Sequence, residues 1–151
     1  MKYLFIVAFS LISLFSSAQK SFKTGDIQLD TDLNEINARA NLDFGAFKTD
    51  LSISYDISEK KIEFMHGSLS MSPGDIYVAL EISKISKTPI DRVINVYKSH
   101  KEHGWGNIAK ELGIKPGSPE FHQLKNNSKK MNKNNRGKGP KKGNGHRNKN
   151  R

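Results

Sequence analysis

Apolar residues recur along most of the chain at the three- and four-residue spacing of an α-helix. The longest stripe predicts one N-terminal helix, capped by Thr31 or Asp32, with its buried face formed by Leu33, Ile36, Ala40, Phe44, Phe47, Leu51 and Tyr55. A competing alternation of apolar and polar residues over positions 51–66 would instead form a β-hairpin. We favour the helix because more positions match its spacing.

Shorter helical patterns follow, each bounded by capping residues. Ser58 is a good N-cap for a helix that Gly67 would end, and Ser72-Pro73 begins a second one. That second helix is apolar on most faces over residues 76–85, which is typical of a central core helix. Thr88-Pro89 begins a third, which Gly104 terminates.

Residues 104–124 predict two helices joined by a tight corner. The first helix runs from Trp105 to Leu112 and is closed by Gly113. The second is a short helix that ends at Leu124, with Ser118 as its N-cap and a proline at its first position. The predicted fold is therefore all-α: a small bundle of five or six helices over residues 32–125, ending in this corner.

The first 18 residues have the pattern of a secretory signal peptide. Lys2 precedes an apolar run over residues 3–15, and Ser16 and Ala18 supply the small residues of a cleavage site before Gln19. The run is shorter than the roughly 20 residues that span a bilayer. We therefore expect an exported protein, periplasmic or extracellular, whose mature chain begins with a flexible lead-in over residues 19–31.

The formal net charge of +10 is concentrated at the C-terminus. Residues 19–124 hold thirteen Lys or Arg and fifteen Asp or Glu, whereas residues 125–151 hold no acid. The last 26 residues are rich in Lys, Asn and Gly, so a disordered tail is expected over residues 126–151. Its expected partner is an anionic polymer: envelope phosphate, acidic polysaccharide or extracellular nucleic acid. A merely solubilising end is the alternative. The candidate binding residues are Lys125, Lys129, Lys130, Lys133, Arg136, Lys138, Lys141, Lys142, Arg147, Lys149 and Arg151.

No motif in the chain indicates catalysis, a cofactor or a metal. The sequence has no cysteine, no phosphate-binding loop and no zinc-protease motif. His100, His103 and His122 are interpreted as solvated side chains rather than zinc ligands, since no acid or cysteine lies at ligand spacing. The segment from Asp30 departs from a calcium loop at Glu35 and is interpreted as a helix start. We expect a non-enzymatic binding or structural protein.

Two resemblances bear on this expectation. Residues 90–125, with Val93, Ile94 and Tyr97 followed by the run 106–114, resemble a helix-turn-helix unit of resolvases and sigma-like regulators. That resemblance implies nucleic-acid binding by the last helix, with His122 and Gln123 as base readers. Most of residues 26–125, including MSPGDIYVALEI, also resembles a group of small exported bacterial proteins of unassigned function. A further alternative is an assembly or inhibitor module that docks through the long N-terminal stripe.

Overall fold

Seven α-helices and one short 3₁₀-helix form the part of the chain that the computed structural model describes, residues 19–136. The α-helices are α1 (Ile27–Leu42), α2 (Phe44–Tyr55), α3 (Glu59–Gly67), α4 (Pro73–Ser86), α5 (Ile90–His100), α6 (Trp105–Glu111) and α7 (Pro119–Arg136), and the 3₁₀-helix is Lys101–His103. The all-α prediction is confirmed. Residues 51–55 belong to α2 and residues 59–66 to α3, so the hairpin alternative is wrong. The predicted signal peptide, residues 1–18, lies outside the described residues.

The central core helix is α4, as its sequence predicts. Ten consecutive residues, 73–82, are buried, and α4 packs against α1, α2, α3, α5 and α7. A capping box begins the helix: Asp75 N–H donates to Ser72 Oγ, and Ser72 N–H donates to Asp75 Oδ2. None of the helices in residues 19–136 is long and apolar enough to cross a membrane.

The long N-terminal helix is divided in two. Asp43 has extended backbone angles (φ −151°, ψ 82°), and its carboxylate accepts a hydrogen bond from Ala46 N, 3.0 Å away, so it ends α1 and caps α2. The start of α1 was also predicted wrongly, because Asp26 rather than Thr31 or Asp32 is its N-cap. The apolar stripe continues across the break because both helices pack against α4. Most of that stripe is therefore buried within the molecule.

The flexible lead-in predicted for residues 19–31 is also corrected, because the segment before α1 is part of the core and α1 itself begins at Ile27. Phe22 and Thr24 are buried. The carbonyls of Phe22 and Lys23 accept hydrogen bonds from Trp105 N (2.9 Å) and Gly106 N (3.0 Å). Both N–H groups lie in the first turn of α6, where the helix itself provides no acceptor. A Cβ at Gly106 would lie 2.7 Å from the Thr24 carbonyl oxygen. The glycine therefore allows the two backbones to meet.

The last helix is much longer than predicted. Its first residue is Pro119, as expected, but it continues past Leu124 to Arg136. Residues 126–136 are thus helical, and the prediction of a disordered tail from residue 126 is wrong for this part. The prediction failed because the buried face of this stretch contains Ser128 and Asn132 instead of an apolar stripe.

Candidate polyanion-binding surface

The lysines of α7 lie on the side of the helix that faces away from the core. We define the basic face of α7 as Lys125, Lys129, Lys130 and Lys133. The last three are exposed, whereas Lys125 is partly buried and its Nζ lies 2.6 Å from Asp26 Oδ2. At about 100° of rotation per residue, the four lysines span an arc of roughly 140°. The opposite side of the helix is buried, with Phe121, Leu124, Ser128 and Asn132.

The structure thus brings together four of the eleven predicted binding residues. Arg136 ends α7, and its side chain is outside the described part. The remaining six also lie outside the described residues: Lys138, Lys141, Lys142, Arg147, Lys149 and Arg151.

Buried polar contacts fix the second half of α7 to the core. The Asn132 side-chain amide donates to the backbone carbonyl and to Oδ1 of Asp32, both at 3.1 Å. The Arg39 guanidinium donates to the backbone carbonyl of Asn132 (2.6 Å) and to its Oδ1. Among the side chains of residues 19–134, no buried nitrogen or oxygen lacks a hydrogen-bond partner. Because these contacts have directional geometry, they set the rotation of α7 and hence the orientation of the basic face.

An open cavity of about 370 Å³ adjoins the basic face between α2, α4 and α7. We call it the α7 cavity. Its polar and aromatic lining includes Tyr55, Tyr77, Glu81, Lys84, Lys130 and Asn134. Lys130 belongs both to the cavity and to the basic face, so the two form one continuous surface.

Glu81 is the buried charge of the α7 cavity, only 4% exposed. Asn127 Nδ2 donates to its Oε2 at 2.8 Å, and the Tyr55 hydroxyl donates to its Oε1. Burial raises the pKa of both Tyr55 and Tyr77, and the Glu81 carboxylate raises each further. At neutral pH both phenols are therefore protonated hydrogen-bond donors.

The predicted corner between the last two helices is present. Gly113 follows α6 with a positive φ of 90°, and Ile114 is buried beyond it. The Ser118 hydroxyl caps α7 by accepting a hydrogen bond from Phe121 N at 3.2 Å. The two suggested base readers, His122 and Gln123, are exposed on the first turns of α7.

The histidines considered as zinc ligands are only partly brought together. The rings of His100 and His103 lie 5.8 Å apart, and His100 Nδ1 is 3.5 Å from Glu111 Oε2. His122 lies on a different helix, α7. Within residues 19–136, no group of three or more His, Asp or Glu side chains is placed to hold a metal ion.

Sequence reasoning did not single out the buried polar residues that hold α7 in place and line the α7 cavity. Glu81 had a usable signal, because it is a lone acid inside the apolar run 76–85. Asn127 and Asn132 had none, since asparagine occurs throughout the C-terminal segment. Their roles depend on contacts with α1 and α4, which are distant in sequence.

Comparison with known proteins gives no relative: no family model matches the chain, and neither the curated proteins nor the solved structures include a significant match.

Proposed function

We propose that this is an exported, non-enzymatic binding protein that associates with anionic polymers at the cell envelope or outside the cell. The observation that supports it best is the basic face of α7. Three exposed lysines lie on a helix that is fixed to the core by buried hydrogen bonds. Neutralising phosphate, sulfate or carboxylate groups with such lysines releases counterions, which drives association.

The arrangement favours binding in a second way. An ordered helix holds its lysines in place before the partner arrives, so less conformational entropy is lost on association than for a disordered segment. The sequence beyond α7 adds six further Lys or Arg in residues 137–151. The helix would act as the oriented part of a longer cationic segment.

A binding role fits the chemistry of the α7 cavity better than a catalytic one. The carboxylate of Glu81 is engaged by Tyr55 and Asn127. Raised pKa values make Tyr55 and Tyr77 poor proton donors and poor bases near neutral pH. We also propose export, on the signal-peptide pattern of residues 1–18.

Heparin chromatography of residues 19–151 tests the proposal. A variant with Lys129, Lys130 and Lys133 replaced by Gln should elute at lower salt than the wild type. The matched control replaces three exposed lysines elsewhere, Lys98, Lys101 and Lys110, and should elute near the wild type. Equal shifts in the two variants would show that only net charge matters.

The contribution of the C-terminal residues requires a truncation at the right place. Removing residues 126–151 would also remove Asn127 and Asn132 and so disturb the core. A truncation after Arg136 leaves α7 whole. It should lower the elution salt further when combined with the triple lysine variant.

A helix-turn-helix nucleic-acid-binding protein is the second candidate. It is favoured by the α6–corner–α7 arrangement and by the exposure of His122 and Gln123 at the start of α7. It requires a cytoplasmic protein with preference among DNA sequences. A mass beginning at Gln19 in an exported fraction would count against it, whereas a full-length mass in the cytoplasm would favour it over the first proposal.

A further inference from the structure

The fold holds the segment before α1 from Lys20 onward. The Asn34 side-chain amide accepts a hydrogen bond from Lys20 N (2.9 Å) and donates one to the Lys20 carbonyl (2.8 Å). Phe22 follows and is only 1% exposed. We call residues 20–25 the N-terminal strap. Its attachment to the fold begins one residue after Gln19, where the predicted mature chain starts.

Lys20 neutralises a buried carboxylate. Asp75 is 2% exposed, and its Oδ2 accepts a hydrogen bond from the Lys20 ammonium. The Trp105 indole donates to the other carboxylate oxygen, Oδ1, at 2.9 Å. Among the side chains of residues 19–134, Lys20 is the only cation paired with Asp75. Loss of Lys20 would leave this carboxylate buried without a counter-charge, which is strongly destabilising.

Gln19 lies outside the strap. It is exposed, and it forms no hydrogen bond with the described part of the chain. Signal-peptide cleavage before Gln19 would give this residue a free α-amine. The mature chain would therefore begin with a single unattached glutamine, followed at once by a lysine on which the core depends.

An N-terminal glutamine can react with itself. The α-amine nitrogen attacks Cδ of the side-chain amide: the N–Cδ bond forms, the Cδ–Nε2 bond breaks, and the amide nitrogen leaves as ammonia with a proton from the amine. The product is a neutral lactam, pyroglutamate. The step is not a redox reaction and needs no co-reactant, only a side chain that can fold back on its own backbone. The exposed Gln19 meets that requirement.

We propose that Gln19 of the exported protein is converted to pyroglutamate and that this cap protects the strap, an inference that rests on the proposed export with cleavage before Gln19. Aminopeptidases bind the free α-amine of their substrates, and the lactam has none. Without the cap, removal of one exposed residue would make Lys20 the terminal residue. The cap therefore preserves the ion pair between Lys20 and Asp75.

Intact mass spectrometry of the protein exported by its native cells tests the modification. The wild type should be lighter than the mass calculated for residues 19–151 by one molecule of ammonia. Gln19→Asn, expressed in the same cells, is the matched control, because its side chain is one methylene shorter and the corresponding ring is too strained to form. This variant should have its calculated mass.

The masses separate this inference from the proposed function. An exported wild-type chain that begins at Gln19 and retains its ammonia overturns the inference and leaves export supported. An exported chain that begins at any other residue does the same. A full-length chain in the cytoplasm overturns both the inference and the proposed export.

Aminopeptidase digestion followed by urea unfolding tests the protective role. The capped wild type should keep its urea midpoint, whereas Gln19→Asn should lose Lys20 and unfold at lower urea. Undigested Lys20→Gln should also have a lower midpoint, and Lys98→Gln on α5 should match the wild type. Equal midpoints for these two glutamine variants, or a digested Gln19→Asn that keeps Lys20, would show that the role assigned to the cap is wrong.

Discussion

Asn132 provides the sharpest test that α7 is a fixed part of the core. Replacing it by Ala removes two side-chain hydrogen bonds to Asp32 and one from Arg39. The change leaves the carboxylate of Asp32, which is 5% exposed, with Gln28 as its remaining side-chain donor. Such a substitution in a flexible tail would have no effect on stability.

The expected magnitude follows from these contacts. Hydrogen bonds that involve a charged group each contribute about 1.5–3 kcal/mol, and they are not additive. Alanine has the better helix propensity, which offsets roughly 0.7 kcal/mol of the loss. We therefore expect Asn132→Ala to lower the free energy of unfolding by about 2–4 kcal/mol, a large part of the roughly 5–15 kcal/mol of a typical domain.

Urea unfolding followed by circular dichroism measures this difference. Asn126→Ala is the matched control, because Asn126 is exposed on the same helix and its replacement brings the same gain in propensity. The control should be as stable as the wild type or slightly more so. Equal stabilities for the two alanine variants would refute the docking of α7 through Asn132.

Three further predictions follow from other parts of the molecule. Gly106→Ala should destabilise the protein by about 1–3 kcal/mol because its Cβ would meet the Thr24 carbonyl. Gly67→Ala, with open space around it, should stabilise the protein by about 0.5–1 kcal/mol. Urea unfolding measures both, and a Gly106→Ala variant as stable as the wild type would contradict the close approach of the two backbones. Burial raises the pKa of all three tyrosines in residues 19–151: Tyr55, Tyr77 and, to about 12, Tyr97. Absorbance titration should therefore detect little tyrosinate at pH 10, and the free energy of unfolding should fall as the pH rises above that value. Half-ionisation at pH 10 in the folded protein would refute this. Partial burial of Asp26 opposes its ionisation, but Lys125 and nearby backbone amides hold its pKa below the ordinary value. Lys125→Gln should therefore lower the free energy of unfolding by under about 1 kcal/mol at pH 7, and this loss should vanish as the pH falls below about 3.9. A loss of stability independent of pH would contradict the pairing.

The parts of the fold that could be predicted depend on local signals. The course of α4 follows from its Ser72-Pro73 start and its apolar run, and the corner before α7 follows from Gly113 and Ser118. Both features are set by neighbours in the chain. Capping residues and apolar spacing therefore identified them without knowledge of the tertiary structure.

The parts that could not be predicted depend on contacts distant in sequence. Phe22 is buried because α6 and Gly74 leave room for its segment. No apolar periodicity in residues 19–26 predicts this burial. Asn132 lies in a stretch whose composition indicates disorder, but partners on α1 make it a core residue. The candidate site shows the same division: its lysines were visible as charge, whereas the cavity beside them was not.

The salt dependence of binding to a DNA duplex, used as a simple polyanion, tests the central claim most directly. The logarithm of the association constant falls with the logarithm of the salt concentration, by about 0.9 for each neutralised phosphate. Replacing Lys129, Lys130 and Lys133 by Gln should reduce that slope by roughly 2–3, while the control at Lys98, Lys101 and Lys110 should leave it near the wild-type value. Equal slopes for the wild type and the α7 variant would contradict the claim that the basic face of α7 binds anionic polymers.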